Sequence, residues 1–204
     1  MDDIKKAKFI SIWIFIVPFV AINSCLILIT QFHELFPEPA SVIHWTFPYI
    51  DGGASISRTA RPYPRPYPSW LIFKPAMFLT SYLLIRYWIY NRSIIKSFNK
   101  EHKYIKRIFN FGVASAIALT LHSIFLGIKF DYDLYKLFRR VILLSFIVFE
   151  LVAQAYLVAA FYSFREKLLP YINPKILKLK LILVSFLIIV AVISVSIISF
   201  PGND

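Results

Sequence analysis

Five blocks of nearly continuous apolar sequence constrain this chain more than any other feature. They run from Phe9 to Thr30, Trp70 to Tyr90, Ile108 to Phe130, Val141 to Phe164 and Leu181 to Phe200. Each is about the 20 residues that a helix needs to cross a hydrocarbon core. A water-soluble core would instead spread its apolar residues with a period near 3.6 or 2. The blocks explain why 58% of the 204 residues are hydrophobic, against about 45–50% in a soluble domain. The expected fold is therefore an all-α, polytopic transmembrane helix bundle of about five spans, forming a single domain over residues 1–204.

Charge supplies the orientation. A net charge of +12 on a soluble protein would point to nucleic acid. Here most basic residues sit in short segments beside the apolar blocks, which is a topology signal, so no nucleic-acid partner is expected. The N-terminal tail, Asn91–Arg107 and Arg165–Lys180 together carry fourteen Lys and Arg. The opposite side carries seven: Arg58, Arg61, Arg65, Lys129, Lys136, Arg139 and Arg140. The richer side faces the cytoplasm. That puts the N-terminus inside, and the long 31–69 loop and the C-terminus outside. The membrane expected is a bacterial cell membrane, or a eukaryotic endomembrane or plasma membrane.

Pro18 lies inside the first block, where a kink is tolerated if neighbouring groups satisfy the freed carbonyl. The lone cysteine, Cys25, excludes an intrachain disulfide. It follows Ile22-Asn23-Ser24, a faint lipoprotein-like box, but the apolar run continues through Ile29, so the segment reads as a retained span. The 31–69 loop contains the turn signal Asp51-Gly52-Gly53 and ends in alternating prolines from Pro62 to Pro68, which favour an extended strip. Phe36, Ile43, Trp45, Phe47 and Ile50 point to a packed loop or a short interfacial helix.

Polar groups at membrane depth each require a partner. Asn23, Lys74, His122 and Glu150 come from four different blocks. Measured from the block centres at about 1.5 Å per residue, they fall in one band in the outer half. Gln154 lies one turn from Glu150 on the same face, whereas Arg86 is close enough to the inner end to snorkel. The expectation is that Glu150 faces the bundle interior and meets His122, Lys74 or Asn23. Gly112, Ala114, Ala116 and Ala118 would let another helix approach the third one closely. The band is either a structural tie or a polar cavity for a lipid headgroup or protons.

Catalytic signatures are sparse. No nucleophile elbow, His-Glu-x-x-His motif or P-loop occurs, and the four histidines lack metal-ligand spacing, so neither a metal nor a cofactor is expected. His44 and Asp51, with Ser55 and Ser57, could form a hydrolytic set in the outer loop. Arg58 and Arg61 could hold lipid phosphates.

The stretch Trp45-Thr46-Phe47-Pro48-Tyr49-Ile50-Asp51-Gly52-Gly53, just beyond the first block, resembles the first outer loop of the Frag/DRAM/Sfk family of polytopic membrane proteins. Pro48, Tyr49, Ile50, Asp51 and Gly53 match that family's pattern; the serine before the aspartate is missing. The family usually has six spans and this chain has five blocks. The resemblance implies a role in membrane lipids. The expected function is thus an accessory, lipid-handling membrane protein, with membrane lipids and a membrane protein as its partners. Its expected ligand-binding residues are Asn23, Asp51, Arg58, Arg61, Lys74, His122 and Glu150. The alternatives are a membrane-embedded lipid hydrolase or acyltransferase using His44 and Asp51 or the His122/Glu150 pair, and a small proton-coupled transporter or channel subunit.

Overall fold

The computed structural model describes residues 2–32, 68–128 and 132–199, with side chains from Ser69 in the second stretch and as far as Ile193 in the last. The expected site residues His44, Asp51, Arg58 and Arg61 lie outside the described residues. Within them the chain is a helical bundle: α1 Asp2–Gln31, α2 Pro68–Phe98, α3 Ile105–Phe125, α4 Asp133–Ser163, the single turn α5 Arg165–Leu168, and α6 Pro174–Ser199.

Local signals mark several helix ends. Asp2 and Asp3 place negative charge at the positive N-terminus of α1. Asn173 caps α6, its Oδ1 accepting from the Lys175 N–H at 2.9 Å, and Pro174 occupies the first helical position. The third block was expected to stay helical to Phe130, but α3 stops at Phe125. Leu126 is extended and Gly127 takes φ 88°, a left-handed value that favours glycine and ends the helix.

The long helices alternate in direction. Ser93 Oγ, near the end of α2, donates to Asp3 at the start of α1 at 2.5 Å, and Cys25 Sγ donates to the Ser69 carbonyl at 3.3 Å at the other end. α2 is the central helix and packs against α1, α3 and α4, while α6 touches mainly α4. Phe73, Met77, Leu84, Trp88 and Ile95 form one buried stripe along α2, at spacings of four and seven. The largest cluster lies toward the end that holds the N-terminus, where Trp88, Ile95, Ile108, Leu157, Phe161, Leu168 and Leu177 meet.

α1, α3, α4 and the Pro174–Ile193 part of α6 are long and apolar enough to cross a membrane. α2 falls outside that set because Lys74, Arg86 and the Thr80-Ser81-Tyr82 run interrupt its apolar sequence. It is also the helix most shielded by the others. Its 31 residues reach about 46 Å, longer than the hydrocarbon core.

At the basic end, His102 ties the α2–α3 turn to α4. Its Nδ1 accepts from the Tyr104 N–H at 3.3 Å, and its Nε2 lies 2.9 Å from Ser163 Oγ, which in turn donates to the Ala160 carbonyl. These partners fit the neutral ring with its proton on Nε2. Burial and the adjacent Lys103 charge also hold the His102 pKa below its usual value. A lowered folded pKa means that protonation favours the unfolded state. This contribution is therefore whole above about pH 6.5, the ordinary imidazole value, and is lost as pH falls through the folded value. Thermal unfolding in detergent should show lower stability at mildly acidic pH, and His102→Gln should flatten that part of the profile. An unchanged profile would show that His102 does not couple folding to pH.

Candidate functional site

The expected polar band resolves into two separate clusters. In the first, Glu150 bridges three helices. Its Oε2 accepts from Ser115 Oγ of α3 at 2.7 Å and from Trp88 Nε1 of α2 at 3.3 Å, while Oε1 accepts from Gln154 Nε2, one turn along α4, at 2.8 Å. Glu150 does turn toward the bundle, but its partners are not His122, Lys74 or Asn23. Two physical reasons account for the difference. Depth along a helix does not fix rotation about it, and the true ends of α3 and α4 move both centres. Ser115 is the middle residue of α3, and Glu150 is close to the middle of α4.

Close helix approach makes this bridge possible. Trp88 is fully buried against Gly112, where a Cβ atom would lie 2.3 Å from the indole ring. Ser115 and Ala116 are also fully buried. Small residues on α3 thus accept the largest side chain of α2, and the indole N–H reaches the carboxylate beyond.

The second cluster lies at the C-terminal end of α3, about 12 Å further along that helix. Lys74 is 6% exposed. Its ammonium donates to the carbonyls of Ser123, Ile124 (2.9 Å) and Leu126 (2.9 Å). Tyr135 Oη donates to the Phe125 carbonyl at 3.0 Å, and the Leu126 N–H to the His122 carbonyl at 2.8 Å. Every carbonyl from His122 to Leu126 is therefore engaged. A helix normally leaves its last four carbonyls without an intrahelical partner, and where the end is buried, as here around Ser123 and Leu126, water does not replace them. The ammonium also sits at the negative end of the α3 dipole.

Asn23 and Arg86 are placed apart from both clusters, whereas His122 borders the second. Asn23 donates to the Phe19 carbonyl of its own helix at 2.7 Å. His122 is half-buried and has Lys74 and Arg139 as its charged neighbours. Arg86 bonds Tyr90 Oη and lies 5.1 Å from that ring. Among the described residues no group of three His, Cys, Asp or Glu could hold a metal ion.

With this geometry in view, comparison with known proteins adds nothing to it. No family model, curated protein or solved structure matches the chain. In the arrangement itself, a carboxylate takes three donors, two of them from other helices, and an ammonium of α2 takes three backbone acceptors at the end of α3. Sequence reading missed Trp88, Tyr135 and Arg139. An indole mid-helix opposite a glycine was the available signal for the first; nothing in the pattern marked the other two.

Three substitutions test these roles. Gly112→Ala should lower stability by about 1–3 kcal/mol through overpacking against Trp88, read as resistance to unfolding in mixed detergent. Glu150→Leu should cost about 1–3 kcal/mol, chiefly because the Trp88 N–H is left without an acceptor. Ser115 Oγ keeps the Gly112 carbonyl at 2.8 Å, and Glu150→Gln should be milder. Lys74→Met should cost about 2–3 kcal/mol and speed amide exchange in the last turn of α3. Wild-type exchange there would remove the capping role.

Proposed function

We propose that the chain is an integral membrane protein that crosses the bilayer five times, through α1, α2, α3, α4 and α6. Its basic end lies in the cytoplasm, and it organises or handles lipid without catalysing a reaction on it. The observation that carries this reading is the distribution of exposed side chains. Phe15 and Phe19 of α1, Leu144 and Ile147 of α4, and Ile182 and Phe186 of α6 all lie open, which in water would be an aggregating surface. Against lipid tails the same side chains are at no disadvantage. The basic residues gather beyond one end of this girdle, where anionic headgroups attract them.

The polar groups at depth favour a non-catalytic role. Glu150 and Lys74 are engaged in ties between helices, and among the described residues no hydrogen bond joins His122 to Glu150 as a proton relay would require. The resemblance of residues 45–53 to the Frag/DRAM/Sfk loop points to the same lipid theme.

Topology is tested by single cysteines placed in a Cys25→Ser background and labelled with a membrane-impermeant maleimide. Phe32→Cys and Tyr132→Cys should label from outside, Asn99→Cys and Tyr171→Cys only after the inner face is opened. Labelling of Phe32→Cys and Asn99→Cys from one side would show that α2 does not cross. For function, the protein purified in mild detergent should retain phospholipid by mass spectrometry and release no fatty acid from it. Fatty-acid release that stops on His44→Ala or Asp51→Ala would replace this reading with a hydrolase. Proton flux in proteoliposomes that stops on Glu150→Gln would replace it with a transporter.

A further inference from the structure

The C-terminal end of α3 carries more positive charge than its backbone requires. The dipole at a helix C-terminus amounts to roughly half a negative elementary charge. The Lys74 ammonium alone supplies a full positive charge there, with three carbonyl contacts. Arg139 is therefore surplus. Its guanidinium lies 6.0 Å from the ring of Tyr135, the residue whose hydroxyl caps Phe125. It is also close enough to act electrostatically on Lys74 and His122.

No acidic side chain among the described residues balances this group. Asp133, the nearest carboxylate along α4, pairs with Lys136 at 3.0 Å on the exposed side. Glu150 is bound at mid-depth by Ser115, Trp88 and Gln154. Arg139 is half-buried, and its Nε is enclosed with no hydrogen-bond partner among the described residues. A buried donor without an acceptor is penalised, and an arginine donor more than most, so the position calls for an anionic oxygen.

Position selects which anion. Arg139 is in the second turn of α4, just before the apolar run that starts at Val141, so on the five-span reading it lies at the level of the outer headgroups. The group that supplies anionic oxygens at that level is a lipid phosphate, and a guanidinium binds phosphate in bidentate fashion. We infer that Arg139, beside His122 and the Lys74-capped end of α3, forms a binding site for the phosphate of an outer-leaflet phospholipid. This rests on the membrane reading above and names a ligand for it.

The test is lipid retention by the detergent-purified protein, followed by native mass spectrometry. Three probes are added separately: phosphatidylglycerol, diacylglycerol with the same chains, and inorganic phosphate. Phosphatidylglycerol should be retained in preference to diacylglycerol. Arg139→Gln should weaken that retention by about tenfold, the effect of losing one charge-assisted hydrogen bond. Arg139→Lys should restore only part of it, and Arg140→Gln, at the exposed neighbouring position, should leave it unchanged. Equal retention of the two lipids, or no effect of Arg139→Gln in a protein that still unfolds like the wild type, would overturn the site. Inorganic phosphate binding without lipid preference would overturn the lipid source. If a carboxylate from the outer loop filled the site instead, neutralising Glu34, Glu38 and Asp51 together would create phosphatidylglycerol retention absent from the wild type, which also overturns the proposal. Failure of the membrane reading is seen separately, as Tyr132→Cys labelling from the same side as Asn99→Cys.

Discussion

A helix end buried against its neighbours leaves carbonyls that water cannot reach, and much of the packing at one end of this bundle follows from how that requirement is met at α3. With 21 residues α3 is the shortest of the long helices, and it stops one turn earlier than its apolar sequence suggests. Lys74 reaches across from α2 to the freed carbonyls, and Tyr135 reaches back from α4. Three helices are thereby fixed in register at that end by backbone satisfaction, with apolar packing from Cys25, Phe73, Met77 and Leu126 around it. A lysine at this position would be hard to accommodate without those carbonyls, and the carbonyls would be equally costly without the lysine.

The middle of the bundle uses a different device. On the membrane reading the hydrophobic effect provides little attraction between helices, so association depends on close packing and on hydrogen bonds. Trp88 and Gly112 supply the first, and Glu150 with Ser115 the second. The two depend on one another. A larger residue at 112 would push away the indole that carries one of the donors to Glu150. Removing Glu150 would leave that indole N–H facing an apolar interface.

The helices were largely legible in the sequence, because continuous apolar blocks are a coarse signal that survives errors of a few residues. The ends were less so. Gly127 sat within an apolar run, and only its left-handed backbone shows that the helix stops before it. Together with the early start of α4, that end shifted the apparent centres and merged two clusters into one band. The inward aim of Glu150 was readable from the cost of a carboxylate in lipid, but its partners were not, since they depend on rotation about three helix axes. Lys74 was readable as buried and needing acceptors. That the acceptors would be backbone carbonyls, created by an early helix end, could not be read without the end itself. The outer-loop residues His44, Asp51, Arg58 and Arg61 remain readings of sequence alone.

α6 stands apart from the rest of this architecture. Among the described residues it meets the bundle through Leu177, Val184 and the Lys180 hydrogen bond to Tyr87, all but Val184 within its first two turns, while most of its later side chains as far as Ile193 lie open. Its backbone bonds are internal, so leaving the bundle would not unfold it. The free-energy difference between its docked and undocked positions is accordingly set by a few contacts, far below that of opening α1 to α4. Among the described residues α1 to α4 thus form one packed body, and α6 is attached to it chiefly near the basic end. On the membrane reading proposed above, the sideways pressure of the surrounding lipid falls mainly on the loosely held length of that helix.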